Sequence, residues 1–150
     1  MALNDNKRMA EFSYQRGLGA YNMNTDVFKY VFITEVFSAI DETASSIGIA
    51  NFTKVTSAGN YVQDAILANS SWTRSGNVSK FTFDNVSFAA DPANPDTAKT
   101  LAIYNDTSAG KDVLKLIDLT VDNGVTAADT KLGFNWTVNA AGSTTTTSNA

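Results

Sequence analysis

Apolar residues recur along this chain at a period of two, in short runs separated by turn residues, rather than at the three-to-four spacing of amphipathic helices. The run Val27-Phe28-Lys29-Tyr30-Val31-Phe32-Ile33 is apolar on both alternating faces except at Lys29, which predicts a central strand covered on two sides. Thr100-Leu101-Ala102-Ile103-Tyr104, the turn residues 105–110, and Val113-Leu114-Lys115-Leu116-Ile117-Asp118-Leu119 predict a hairpin. Lys80-Phe81-Thr82-Phe83-Asp84 alternates strictly and Val86-Ser87-Phe88 resumes after Asp84-Asn85, as one strand with a bulge would. A last strand, Leu132 to Val138, turns Phe134, Trp136 and Val138 inward.

The intervals are less regular. Residues 4–20 mix polar residues with isolated Met9, Phe12, Tyr14 and Leu18, and Gly17 and Gly19 interrupt any long helix, so residues 1–20 are expected to form an extended arm with at most one helical turn. Residues 38–48 suit either a short helix capped by Ser38, with Gly48 past its end, or a long loop between strands. After Phe52-Thr53-Lys54-Val55, the tract Ser57-Ala58-Gly59-Asn60 is turn chemistry, and Tyr61 to Trp72 holds one or two short strands. Asp91-Pro92-Ala93-Asn94-Pro95-Asp96 holds both prolines and must be a surface loop. Residues 141–150 are small and polar and are expected to be a flexible tail. The pattern as a whole predicts an all-β chain: an antiparallel β-sandwich or jelly-roll-like domain over residues 21–140, with the arm before it and the tail after it.

Composition sharpens this picture mostly by exclusion. With 150 residues, 43% hydrophobic and 17% charged, the chain suffices for one domain with its own core. A formal charge of -4 with no run of Lys or Arg argues against a nucleic-acid partner. The absence of Cys and His removes thiolate chemistry, the commonest general base and the commonest zinc ligand together. The N-terminal residues lack an apolar core for export and no stretch approaches a membrane span, so a soluble protein with no membrane partner is expected.

Candidate chemistry is sparse. Asp91, Asn94 and Asp96, or Asp118 and Asp122, could supply oxygens to a calcium ion, but their spacing matches no calcium loop and turn hydrogen bonding is the simpler role. The acidic residues are scattered, and none is embedded among aromatics as a glycosidase acid requires, so no enzymatic role, catalytic residue, metal or cofactor is expected. The Asn-x-Ser/Thr triplets report only richness in those residues, and Gly17-x-Gly19 lacks the rest of a phosphate-binding fingerprint. Trp136 belongs to an apolar face, whereas Trp72, in polar surroundings, suits core and interface equally. Arg8, Phe12, Tyr14, Arg16 and Tyr21, with Trp72, are the candidate partner-binding residues, because Arg and aromatics in polar settings anchor interfaces.

The order of several fragments resembles the head-decoration (capsid cement) proteins of tailed bacteriophages. Residues Asn24-Thr25-Asp26-Val27-Phe28-Lys29-Tyr30-Val31-Phe32 are similar to that family's first strand, and Ala58-Gly59-Asn60-Tyr61 to the turn that follows, although a subsequent Gly-rich stretch is missing. Phe81 to Phe88, Leu101-Ala102-Ile103-Tyr104-Asn105-Asp106-Thr107, Leu114-Lys115-Leu116-Ile117-Asp118 and Phe134-Asn135-Trp136-Thr137-Val138 follow in the same order, spanning roughly residues 20–142. The resemblance implies a β-sandwich or jelly roll on the outer capsid surface of a virion, made in the host cytoplasm. It also implies a homo-oligomer, often a trimer, that binds across major capsid protein subunits and stabilises the shell. The alternative is a tail- or fibre-associated carbohydrate-binding module, which would expose coplanar rings such as Trp72 and Tyr61 on one sheet face.

Overall fold

Three apolar strands, β2 (Phe28–Ile33), β7 (Thr100–Asn105) and β8 (Val113–Asp118), form the centre of the computed structural model. The structure describes residues 6–44, 47–76, 78–84, 86–89, 91–121, 125–126, 134–138 and 144–148. With β1 (Asn6–Arg8) and β3 (Ala65–Ile66) the central strands make a five-stranded antiparallel sheet in the order β1-β8-β7-β2-β3. The run of apolar residues on both faces of β2 has the cause inferred from sequence: Phe28, Tyr30 and Phe32 point into one core, and Val31 and Ile33 into another on the opposite face.

The first face is rich in rings. Leu101, Ile103 and Ile117 extend it across the sheet, and Phe12, Tyr21, Tyr61 and Phe83 cover it, with Trp72, Phe81 and Phe88 packed against them. Phe12 comes from helix α1 (Ala10–Gly17), Trp72 and Phe81 from the hairpin of β4 (Ser71–Ser75) and β5 (Val78–Thr82), Phe88 from β6 (Val86–Phe88), and Tyr21, Tyr61 and Phe83 from the connections between elements. The second face, with Ala102, Tyr104 and Leu116, is closed by Phe37, Ile40 and Ile49 from the loop between β2 and β3. Two smaller units complete the described chain: β9 (Thr120–Val121) pairs with β10 (Val125–Thr126), and β6, β11 (Phe134–Val138) and β12 (Thr144–Ser148) make a three-stranded sheet. The fold is all-β in antiparallel sheets, with one short α-helix among the described residues.

Several expectations are corrected. Residues 6–20 are not an extended arm: β1 pairs with β8 from Asn6 opposite Ile117 to Arg8 opposite Lys115, α1 follows, and Met9 and Phe12 are buried. The reason is that the β8 edge offers unpaired backbone groups and an apolar flank that these residues satisfy together. Residues 1–5 of the expected arm lie outside the described residues. The described part of the segment from Ser38 to Gly48, residues 38–44 and 47–48, is the loop, entered through a 3-10 turn at Phe37–Ala39, rather than the capped helix. Phe81 and Phe88 lie not on one bulged strand but on β5 and β6, which belong to different sheets. Within the tail expected to be flexible, Thr144–Ser148 is β12, hydrogen-bonded along β11. The inward facing of Phe134, Trp136 and Val138 lies outside the described side chains.

β8 carries one irregularity that places a charge. Lys115 opposes Ile103 while Val113 opposes Tyr104, so Leu114 is an extra residue, a β-bulge. Leu114 therefore joins the first face, on which Lys115 also stands opposite Ile103.

Candidate interaction surface

Helix α1 begins after Met9, whose buried side chain and N–H bond to the Leu114 carbonyl (2.9 Å) anchor the chain to β8. The helix turns Phe12 inward, where its ring stacks on Tyr21 with centroids 6.3 Å apart. Tyr21 in turn donates its hydroxyl hydrogen to Asp112 Oδ2 at 2.5 Å. Phe12 and Tyr21 are 8% and 6% exposed, so both are core residues that position the surface and not, as their residue types suggested, docking residues.

The next turn of the helix carries the surface itself. The Arg16 guanidinium lies 4.6 Å from the Trp72 ring centroid and 5.3 Å from that of Phe12, so the cation is held between two rings. Trp72 is half-buried on β4, opposite Phe81, and its backbone N–H donates to Asn24 Oδ1 at 3.1 Å. Tyr14 and Leu18, one helical turn apart, project outward at 60% and 63% exposure on the side of the helix away from Phe12 and Arg16. Arg8 is exposed on β1, opposite Lys115.

Of the six residues expected from sequence, the structure thus joins Arg16 with Trp72, exposes Tyr14 on the same helix, sets Arg8 on the neighbouring strand, and buries Phe12 and Tyr21. Leu18 and Lys115 escaped notice. Leu18 is legible only once a helix puts it four residues from Tyr14 on one side, and the half-buried setting of Lys115 depends on the bulge.

The candidate cation ligands have other occupations. Asp91 Oδ1 accepts from the Ala93 N–H at 2.8 Å; Asn94 is buried, accepting from the Asn60 N–H at 2.7 Å and donating to the Ala89 carbonyl at 3.0 Å. This is turn chemistry of the kind the loop sequence suggests. Asp118 is buried in β8, and Asp122 lies outside the described residues. Among the described residues no group of three or more acidic side chains could hold a metal ion.

A cavity of about 430 Å³ opens over the second face, lined by Glu35, Ile40, Asp41, Ile47, Asn51 and Phe52. Glu35 Oε1 accepts the Thr53 N–H at 2.6 Å, and hydrogen bonds from Thr43 hold the Asp41 carboxyl below its ordinary value. The cavity is therefore on the side of the sheet away from the Arg16–Trp72 pair. No family model, curated protein or solved structure matches the chain.

Proposed function

We propose that this chain is a virion structural protein that decorates and stabilises a bacteriophage capsid, binding across major capsid protein subunits on the outer shell as a homotrimer. The observation that carries the proposal is the outward side of α1, where Tyr14 and Leu18 stand exposed one turn apart while the opposite side packs on the sheet through Phe12 and through Arg16 against Trp72. The order of fragments similar to decoration proteins along residues 20–142 supports the same reading, as does the all-β fold in antiparallel sheets. Such a protein acts by contact and needs no reacting group.

The carbohydrate-binding alternative is disfavoured by one feature. Its platform requires Tyr61 beside Trp72 in solvent, but Tyr61 is 1% exposed and stacks on Phe32 at 4.6 Å with the rings 1° from parallel.

The test mixes the purified protein with heads lacking it and images them by electron cryo-microscopy. Density at fixed lattice positions is expected, with the double variant Tyr14→Ala, Leu18→Ala folded but absent from the shell. Binding confined to the tail, or none, overturns the proposal. Mass measurement in solution is expected to give one discrete oligomer.

A further inference from the structure

Residues 6–20 clip over the edge of β8 and reach into both cores. β1 pairs with β8 at three positions, from Asn6 opposite Ile117 to Arg8 opposite Lys115. Met9, next in the chain, is buried in the second core, and Phe12, the third residue of α1, in the first. Lys7 donates to the Ile40 carbonyl at 2.8 Å with its ammonium 4.5 Å from the Phe37 ring centroid, and Arg16 lies against Trp72 on the other face. One segment thus closes the β8 edge and supplies a buried side chain to each side of the sheet.

The link between this segment and the rest of its own chain is slight by comparison. The backbone N–H groups of Leu18, Gly19 and Ala20 all bond back into α1, to the carbonyls of Tyr14, Arg16 and Gln15. Residues 17–20 are exposed, and nothing lies within 4 Å of where a Cβ on Gly17 or Gly19 would stand. Gly19 holds a φ of +75°, which an L side chain rarely adopts. The domain resumes at Tyr21, which is buried and donates to Asp112. Residues 17–20 are therefore a connector that stands clear of the sheet and, drawn out, spans up to about 13 Å.

We infer that residues 6–20 are exchanged between copies of this chain: in the oligomer, β1 and α1 of one protomer lie on β8 of the next, and the Met9 and Phe12 that complete each protomer's cores come from its neighbour. The occupant of the β8 edge is a second copy because the contacts that fit this edge are those of residues 6–16 themselves, and an identical chain brings them unchanged. Only the course of the connector differs between the closed chain and the exchanged one, so exchange keeps the contacts and adds a covalent tie between protomers. Passing one segment to the next protomer is a head-to-tail arrangement, the kind that forms a closed ring. The inference rests on the homo-oligomer proposed above and names the segment that holds it together.

The test uses the absence of cysteine from the chain. Arg8 and Lys115 are opposite in the ladder and neither is fully buried, so Arg8→Cys and Lys115→Cys put two thiols within disulfide reach wherever β1 lies on β8. The two single variants are refolded together at the concentration where the oligomer forms, oxidised mildly and run on a denaturing gel, beside the double variant treated alike. Covalent pairs of one Arg8→Cys chain with one Lys115→Cys chain are expected, and covalent dimers and trimers of the double variant. Bridges that close only within single chains of the double variant, or no bridge at all, overturn the inference. The unsubstituted chain gives a second reading. In a co-refolded equal mixture of isotope-labelled and unlabelled chains, nuclear Overhauser contacts of the Met9 methyl with the second core are expected to run between chains, and contacts confined to one chain overturn the exchange. A discrete oligomer by mass with internal bridges alone keeps the homo-oligomer and removes the exchange, whereas bridged chains that leave heads bare keep the exchange and remove the capsid proposal.

Discussion

The two faces of the five-stranded sheet are made by alternate residues of the same strands, yet they are closed in different ways. Rings dominate the first face, and they arrive from distant parts of the chain: Phe12 and Tyr21 from the N-terminal segment, Tyr61 from a turn, Trp72 and Phe81 from a hairpin. The second face is mainly aliphatic on its strands and is closed chiefly by the loop that follows β2, through Phe37, Ile40 and Ile49. Stacked rings of fixed shape specify which segments meet. The long connection between β2 and β3 lays loop and 3-10 turns, not a paired strand layer, over the second face, and there the cavity opens, with Glu35 Oε2 buried and without a hydrogen-bond partner among the described residues.

If the first face specifies the fold, truncating its central ring is the most damaging change. Phe32→Ala is expected to lose about 3–5 kcal/mol of unfolding free energy in denaturant titration, because Phe32 is fully buried and stacked on Tyr61. Leu116→Ala on the second face, equally buried, is expected to lose about 2–3 kcal/mol, since the looser loop can settle into the space. Equal losses would erase the distinction between the faces.

Smaller effects sharpen it. Tyr61→Phe keeps the ring but removes the oxygen that accepts the Phe32 N–H at 3.0 Å and donates to the Val55 carbonyl at 3.3 Å; about 1–3 kcal/mol is expected to be lost. Alkali tests the same groups. Burial pushes the Tyr30 phenol up to about 12, and Tyr61 and Tyr104 are raised further by burial, Tyr104 also by its bond to Asp64. A raised folded-state pKa contributes stability that is complete below the unfolded value near 10 and is lost as pH climbs toward the folded value. The unfolding midpoint is therefore expected to hold up to about pH 10 and to fall steadily above it, with tyrosinate absorbance rising alongside unfolding. Smallest of all is Asp106→Asn: hydrogen bonds from Lys111 and Lys29 lower the Asp106 pKa, but these pairs are partly solvated, and less than about 1 kcal/mol is expected to be lost.

What could be read from the sequence follows the same division. β2 and the β7–β8 hairpin are legible because each is buried on both faces and the chain says so locally, in unbroken apolar runs between turn residues. The N-terminal segment is not, because the burial of Met9 and Phe12 among polar neighbours depends on an edge supplied by β8, far along the chain. For the same reason the interaction surface was legible in part. Residue chemistry singles out Arg16 and Trp72, but only the fold brings them together, and it turns Phe12 and Tyr21 into their support. The split of Phe81 and Phe88 between two sheets, and the bulge at Leu114, are decided by register, which no local pattern carries.

The pairing of β1 with β8 also orders events during synthesis. Asn6 and its neighbours leave the ribosome well before Ile117, so β1 has no partner until the β7–β8 hairpin emerges, and the outer edge of β8 is then open until β1 returns to cover it. In that interval the growing chain presents an apolar strand with free backbone donors and acceptors, the kind of template on which a second nascent copy can add. Lys115 stands on that open edge, so a second copy of β8 adding there has a lysine to accommodate, one of the devices by which edge strands discourage pairing with their own kind.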